Sequence, residues 1–270
     1  LHLSLRRQRQ MCIRDSPLEV SAPAGKKMKY LQPRFPQIGP AGDGPRAIFC
    51  AQSGMGKTSA AMVFIKEYLR IVERVHLISS TLHLDKGYEE IMGLIKKKYQ
   101  EEDIDIDDPE ENPFHEDLTS LKTIMAGMVK RTREAQEQGD SYAPLTLILV
   151  DDLMSGSGPS QGYRYNDDIL KLFSTSRHSG GVCLLLTQSY SMLNRAARLQ
   201  ATHLAIWAVQ TTQWQQVRDE LAGRQGMSRE QLESAWQTAT ARPHGFLWIA
   251  YNAEPGNKFW SGFTKKLLPK

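Results

Sequence analysis

"AQSGMGKT", residues 51–58, decides how the rest of the chain is read. It departs at one position from G-x-x-x-x-G-K-[ST], the turn whose backbone N–H groups wrap phosphate oxygens, because Ala51 stands where the first glycine belongs. Upstream, "RAIFCA" (46–51) is a short apolar run that predicts a strand. Downstream, "TSAAMVFIKEYLRIV" (58–72) contains no Gly or Pro and predicts a helix. Strand, glycine turn, helix is the context a phosphate loop requires. Its first position ends the strand, so alanine is tolerated there if φ stays negative. On this reading Ser53, Gly54, Met55, Gly56, Lys57, Thr58 and Ser59 surround the phosphates of a nucleotide. Gly54 and Gly56 keep Cβ atoms away, Lys57 bridges the β- and γ-phosphates, and Thr58 places its hydroxyl on Mg²⁺. ATP and Mg²⁺ are the expected cofactors. The competing reading is a surface turn that carries G-x-G-K-T by chance.

A nucleotide hydrolase also needs acid at the end of a neighbouring strand, and "LTLILVDDLM" (145–154) supplies it. Asp151 is expected to hold Mg²⁺ through water, and Asp152 to orient or deprotonate the attacking water. Many such enzymes carry glutamate at the second place, where this chain has the shorter Asp152. Alone, the pair also reads as a solvated turn capping a strand. In "LLLTQS" (184–189), Gln188 falls at the carboxyl edge of an apolar strand, where open α/β sheets bind ligands. An amide there can sense the γ-phosphate or position water.

Outward from these motifs, apolar runs alternate with helical segments. "RVHLIS" (74–79), "LTLILV" (145–150), "GVCLLLTQ" (181–188), "HLAIWAV" (203–209) and "GFLWIAYN" (245–252) read as strands, the last closing the sheet. Segments 87–99, 118–138, 213–223 and 228–240 read as helices, the last opening on Ser228 and Gln231 at capping-box spacing. The fold class is therefore α/β, a doubly wound, mainly parallel sheet flanked by helices. Residues 28–270 form one domain. Residues 17–45, rich in Pro and Gly, read as a flexible lead-in. "LHLSLRRQRQMCIRDS" (1–16) has no sustained apolar run and no small-residue cleavage site, so no signal peptide is expected. It resembles translated adapter sequence at the edge of an assembled gene; a basic tail touching nucleic acid is the alternative.

Charge is uneven. Ten acids and no lysine or arginine lie between Gln100 and Leu121, leaving 34 basic residues to face the remaining 20 acids. The basic excess favours a polyanionic partner. The acidic tract reads as a loop insertion at about 100–117. Three unpaired cysteines, Cys12, Cys50 and Cys183, suit a reducing compartment, and the apolar runs are too short to span a membrane.

The series "AQSGMGKT", "LILVDD", "LFSTSRHSGGVCLLLTQSYSML" and "NRAARLQATHLAIWAV" resembles the DNA-packaging ATPases of the FtsK/HerA superfamily, of the poxvirus, giant-virus and virophage type. The pattern LF-x-x-x-RH (172–178), an apolar strand and TQSY carry most of it, and "HGFLWIAYNAEPGNKFWSGF" (244–263) extends it over residues 28–263. The resemblance implies a RecA-like P-loop fold and a homo-oligomeric ring that pumps double-stranded DNA into a capsid at sites of virion assembly, in host cytoplasm or nucleus. It implies capsid or portal-vertex partners and an arginine reaching the neighbouring subunit's γ-phosphate, Arg195 or, favoured, Arg198. A helix arginine on a solvated face is the alternative. "LMSGSGPSQGYRYNDD" (153–168), with Arg164 between Tyr163 and Tyr165, is a candidate mobile DNA loop, or simply a connection. Ala51 and the acidic insertion depart from the family pattern. If it faced a channel, the insertion would repel DNA, so it belongs on an outer surface or against another protein. Two other functions share the phosphate loop: a small-molecule kinase and a nucleotide-switched interaction module.

Overall fold

The computed structural model describes residues 28–34, 38, 44–151, 159–223 and 226–268. Within them the chain order is β1 (Arg46–Cys50), α1 (Lys57–Tyr68), β2 (Arg74–Ser79), α2 (Lys86–Glu101), β3 (Phe114–His115), α3 (Leu121–Gln138), β4 (Thr146–Asp151), α4 (Pro159–Ser176), β5 (Gly181–Thr187), α5 (Arg195–Gln200), β6 (His203–Trp207), α6 (Thr211–Leu221), α7 (Arg229–Thr240), β7 (Phe246–Ala250), β8 (Phe259–Ser261) and β9 (Lys265–Leu267). The strands form one sheet in the order β3-β2-β4-β5-β1-β6-β7-β8-β9. From β3 to β6 every pairing is parallel; β7, β8 and β9 add antiparallel. The mainly parallel sheet is as expected, but β7 does not close it.

The central strands are buried along their whole length, and side-chain alternation sends each strand's residues to two separate cores. Ala47, Phe49, Leu147, Leu149, Leu184 and Leu186 meet α1 and α2 on one face. Ile48, Ile148, Val150, Cys183 and Leu185 meet α3, α4, α6 and α7 on the other. On the α1 face Phe49 packs edge-on against Phe64 and Trp248, at 6.2 and 5.9 Å between ring centres. This aromatic cluster clamps α1 onto β1, and the phosphate loop joins those two elements. The Ser228–Gln231 capping box forms as read, starting α7.

Three expectations change. The acidic tract is no free loop: Glu101 ends α2, Ile104, Ile106 and Phe114 pack on the core, and Phe114–His115 adds β3 to the sheet edge. Glu111 is tied to Arg74, while Asp103, Asp105, Asp107, Asp108 and Glu110 stay exposed. Part of the expected lead-in is docked: Lys29 bonds Ser141 and Ala143 through its backbone, Arg34 pairs with Glu67 at 3.0 Å, and Tyr68 donates to the Ile38 carbonyl at 2.9 Å. The expected DNA loop is already helical from Pro159, and Tyr165 is buried in the core. The remaining readings there, on Tyr163, Arg164 and residues 153–158, lie outside what the structure describes, as do those on residues 1–27.

Two buried imidazoles give the fold an acid limit. Burial, aided by His115 and Arg131, pushes His76 down to about 3, and burial with Arg46 nearby does the same to His203. Unfolded histidine binds its proton near pH 6.5. Stability from these residues is therefore complete above about pH 6.5 and is lost as pH falls from there toward 3. Each contributes up to about 1.4 kcal/mol per pH unit, so the melting temperature is expected to drop by roughly 5–10 °C between pH 7.5 and 5.5. A flat profile over that window would contradict neutral burial of both rings.

Candidate nucleotide-binding site

The loop between β1 and α1 is shaped by two left-handed residues, Gly54 (φ 75°) and Gly56 (φ 92°). Ala51 is not left-handed, is fully buried, and donates its backbone N–H to the Thr187 carbonyl at 3.1 Å, continuing the β1–β5 ladder. It ends the strand, and a first glycine has no work to do there. Gly56 caps α1 without a side-chain hydrogen bond, and the first turn holds no acid. The first N–H groups and the positive end of the helix dipole thus lie at the cavity that Gly56, Lys57 and Thr58 line, an arrangement suited to an anion. Lys57 is nine-tenths buried; its Nζ arches over the loop and donates to the Ala51 carbonyl at 2.7 Å.

Sheet register aligns the other groups with this loop. Cys50 lies opposite Thr187 on β5, and Leu186 opposite Asp151 on β4. Because β5 separates β1 from β4, Gln188 stands between the phosphate loop and the acid. Gln52, Ser53, Gly54, Gly56, Lys57, Thr58, Ser59, Asp151 and Gln188 all line one cavity of about 880 Å³. Asp152 lies just outside the described residues, so its expected role as base has no geometry here.

The fourth wall went unread in the sequence. Ser80, Thr81, Leu84, Asp85, Lys86 and Gly87 complete the cavity, with Asp85 capping α2 through the Gly87 N–H at 2.8 Å. An Asp before a helix was the available signal for that cap. Tyr88, fully buried on the same turn, donates its hydroxyl to Asp151 Oδ2. Burial and the adjacent Asp151 carboxylate push this phenol well above its ordinary pKa, which keeps it a donor. His244 is a further unread neighbour: it is left-handed (φ 59°), and a Cβ built at Gly56 would lie 3.7 Å from its Nδ1.

Arg198 does not behave as expected. Its side chain is buried, and its guanidinium pairs with Glu220 of its own chain at 2.6 Å, donates to the Leu193 carbonyl and lies 4.9 Å from the Tyr190 ring centre. A guanidinium held by these partners is not presented to a neighbouring subunit. Arg195, on the first turn of α5, is exposed.

The donor set fits a magnesium nucleotide. Among the described residues no group of three or more His, Cys, Asp or Glu could hold a metal. Mg²⁺ needs no such cage: it takes one or two carboxylates, keeps several waters and completes its shell with phosphate oxygens. Thr58 and Asp151, lining the same cavity, match that pattern. No described helix is long and apolar enough to cross a membrane.

No protein-family model and no curated protein matches the chain. Among solved structures it is similar to the pCW3 conjugation coupling protein TcpA in monomer form with ATPγS, at a TM-score of 0.53 and 10% identity. That match covers 78% of this chain and 58% of TcpA, so the chain spans somewhat more than half of TcpA. It is also similar to the genome packaging NTPase B204 from Sulfolobus turreted icosahedral virus 2 with ATPγS, at a TM-score of 0.51 and 12% identity, covering 83% of this chain and 98% of that one. With the phosphate loop after β1, an acid ending β4 and a glutamine just after the intervening β5, the chain has the P-loop NTPase fold in the form shared with B204 and TcpA.

Proposed function

We propose that this chain is an ATP-hydrolysing motor that translocates double-stranded DNA, and that its task is to load a genome into a viral capsid. The observation that carries the ATPase reading is the meeting of Lys57, Thr58, Asp151 and Gln188 around one cavity at the carboxyl ends of three adjacent strands. The loop N–H groups and Lys57 bind the β- and γ-phosphates, and charge developing on the transferred phosphoryl group is met by the same donors. Thr58 and Asp151 would hold Mg²⁺, which when bound would supply positive charge against the phosphates. Gln188 orients the attacking water, and Asp152 takes its proton.

Three findings support DNA as the cargo. They are the basic excess outside the acidic tract, the series of motifs from Leu172 to Leu193, and a fold matching nearly the whole of a genome packaging NTPase. The exposed acids beside β3 belong on the outside of the proposed ring, away from DNA and toward capsid or portal-vertex proteins. Action at sites of virion assembly follows from the same reading. With Arg198 held by Glu220, Arg195 is the arginine we assign to the neighbouring subunit's γ-phosphate.

Phosphate release from ATP should rise several-fold on adding double-stranded DNA, and the stimulation should weaken steeply with salt as counterions compete for the phosphates. Unstimulated hydrolysis by assembled rings would leave a nucleotide-switched module in place of a motor.

A further inference from the structure

Thr58 and Asp151 sit on different elements, the first turn of α1 and the end of β4, so something must hold them in register. Tyr88 is placed at that junction. Its hydroxyl donates to Asp151 Oδ2. The turn that carries it is pressed onto α1: a Cβ added at Gly87 would lie 3.3 Å from Thr58 Cγ2. Yet Tyr88 does not line the cavity, whereas Thr58 and Asp151 do.

Resting on the magnesium-nucleotide reading above, we propose that Tyr88 is the positioning residue of the metal end of the site, orienting Asp151 toward Mg²⁺ without touching the nucleotide. A carboxylate at a strand end can turn about two side-chain bonds, and a buried hydroxyl donor holds one of its oxygens in place. Lysine or arginine in that position would also hold it, but would cancel the negative charge that attracts the cation. A neutral phenol orients the carboxylate and preserves its charge. The turn before it packs on Thr58, so both expected metal contacts lie against the start of α2.

The test is ATPγS affinity in excess Mg²⁺ and in EDTA, for wild type, Tyr88→Phe, Asp151→Asn and the double variant. Wild type should bind more tightly with Mg²⁺. Tyr88→Phe should keep the EDTA affinity within about twofold while its Mg²⁺-dependent tightening shrinks by about tenfold, the scale of one hydrogen bond to a charged group. In the Asp151→Asn background, Tyr88→Phe should change that tightening no further, since its route of action is gone. Wild-type tightening in Tyr88→Phe, even with a lowered melting temperature, would reduce Tyr88 to a packing residue and overturn the proposal. So would additive effects in the double variant. If Tyr88→Phe does not fold, Tyr88→Leu carries the same comparison and the same expectation. Wild type that binds no ATPγS, or binds it without regard to Mg²⁺, would instead remove the nucleotide reading and this proposal with it.

Discussion

Replacing Lys57 by alanine is expected to lower ATP hydrolysis by at least about 100-fold, the scale on which losing one preorganised donor to transition-state charge is felt. Lys57 is the cation of the loop, and its ammonium already lies over the turn, 2.7 Å from the Ala51 carbonyl and 3.4 Å from that of Gln52. Phosphate oxygens entering the cradle formed by Gly54 and Gly56 would meet it without a large side-chain movement, so little reorganisation accompanies the reaction. The fold should survive. Two carbonyls lose a donor, and a net hydrogen bond is worth about 1 kcal/mol, so the melting temperature should fall by only a few degrees. Lys57→Arg should not restore the rate. A planar guanidinium is larger and forked, and the buried space over the loop accommodates a compact ammonium. The measurement is phosphate release at saturating ATP beside a melting curve. A rate within a few-fold of wild type, in protein that melts normally, would place hydrolysis elsewhere on the molecule.

What the sequence disclosed follows from how local each feature is. The strand, turn and helix around residues 46–68 are contiguous, and the glycines fall where the backbone becomes left-handed, so this unit could be read directly. Asp151 and Gln188 are 37 positions apart along the chain. They were legible only because each ends a continuous apolar run, and parallel sheets gather such ends on one edge. Tyr88 was hidden for the opposite reason. With Ile91, Ile95 and Tyr99 it completes the buried stripe of α2, and nothing in that periodicity separates a core tyrosine from one whose hydroxyl serves a site. Short strands were also opaque. Two residues of β3 and three each of β8 and β9 carry no period of their own, and their identity as strands lies in pairing with β2 and β7. Arg198 shows the limit most plainly, since charge is visible in a sequence and its partner is not.

Arg198→Ala is therefore expected to destabilise the chain, by about 3–5 kcal/mol, because it strands the Glu220 carboxylate in a site sheltered from water. The arginine does three jobs at once. It pairs with Glu220 of α6, covers the Tyr190 ring, and donates to the Leu193 carbonyl in the turn that follows Gln188. Tyr190 also donates to Glu220 at 3.2 Å, so the turn, α5 and α6 are tied at one point. A loss of that size should lower the melting temperature by roughly 10 °C. Replacing both partners, as Arg198→Met with Glu220→Leu, should recover most of it, because no charge is then left buried without its counterpart. Activity should fall with the fold, since the loosened turn adjoins the glutamine. Mixing Arg198→Ala subunits with Asp152→Ala subunits should then restore nothing, as the defect stays within each chain. The same mixture made with Arg195→Ala should regain activity if Arg195 crosses to the neighbouring site. Wild-type melting in Arg198→Ala, together with rescue in its mixed assembly, would reverse the assignment and return the crossing role to Arg198.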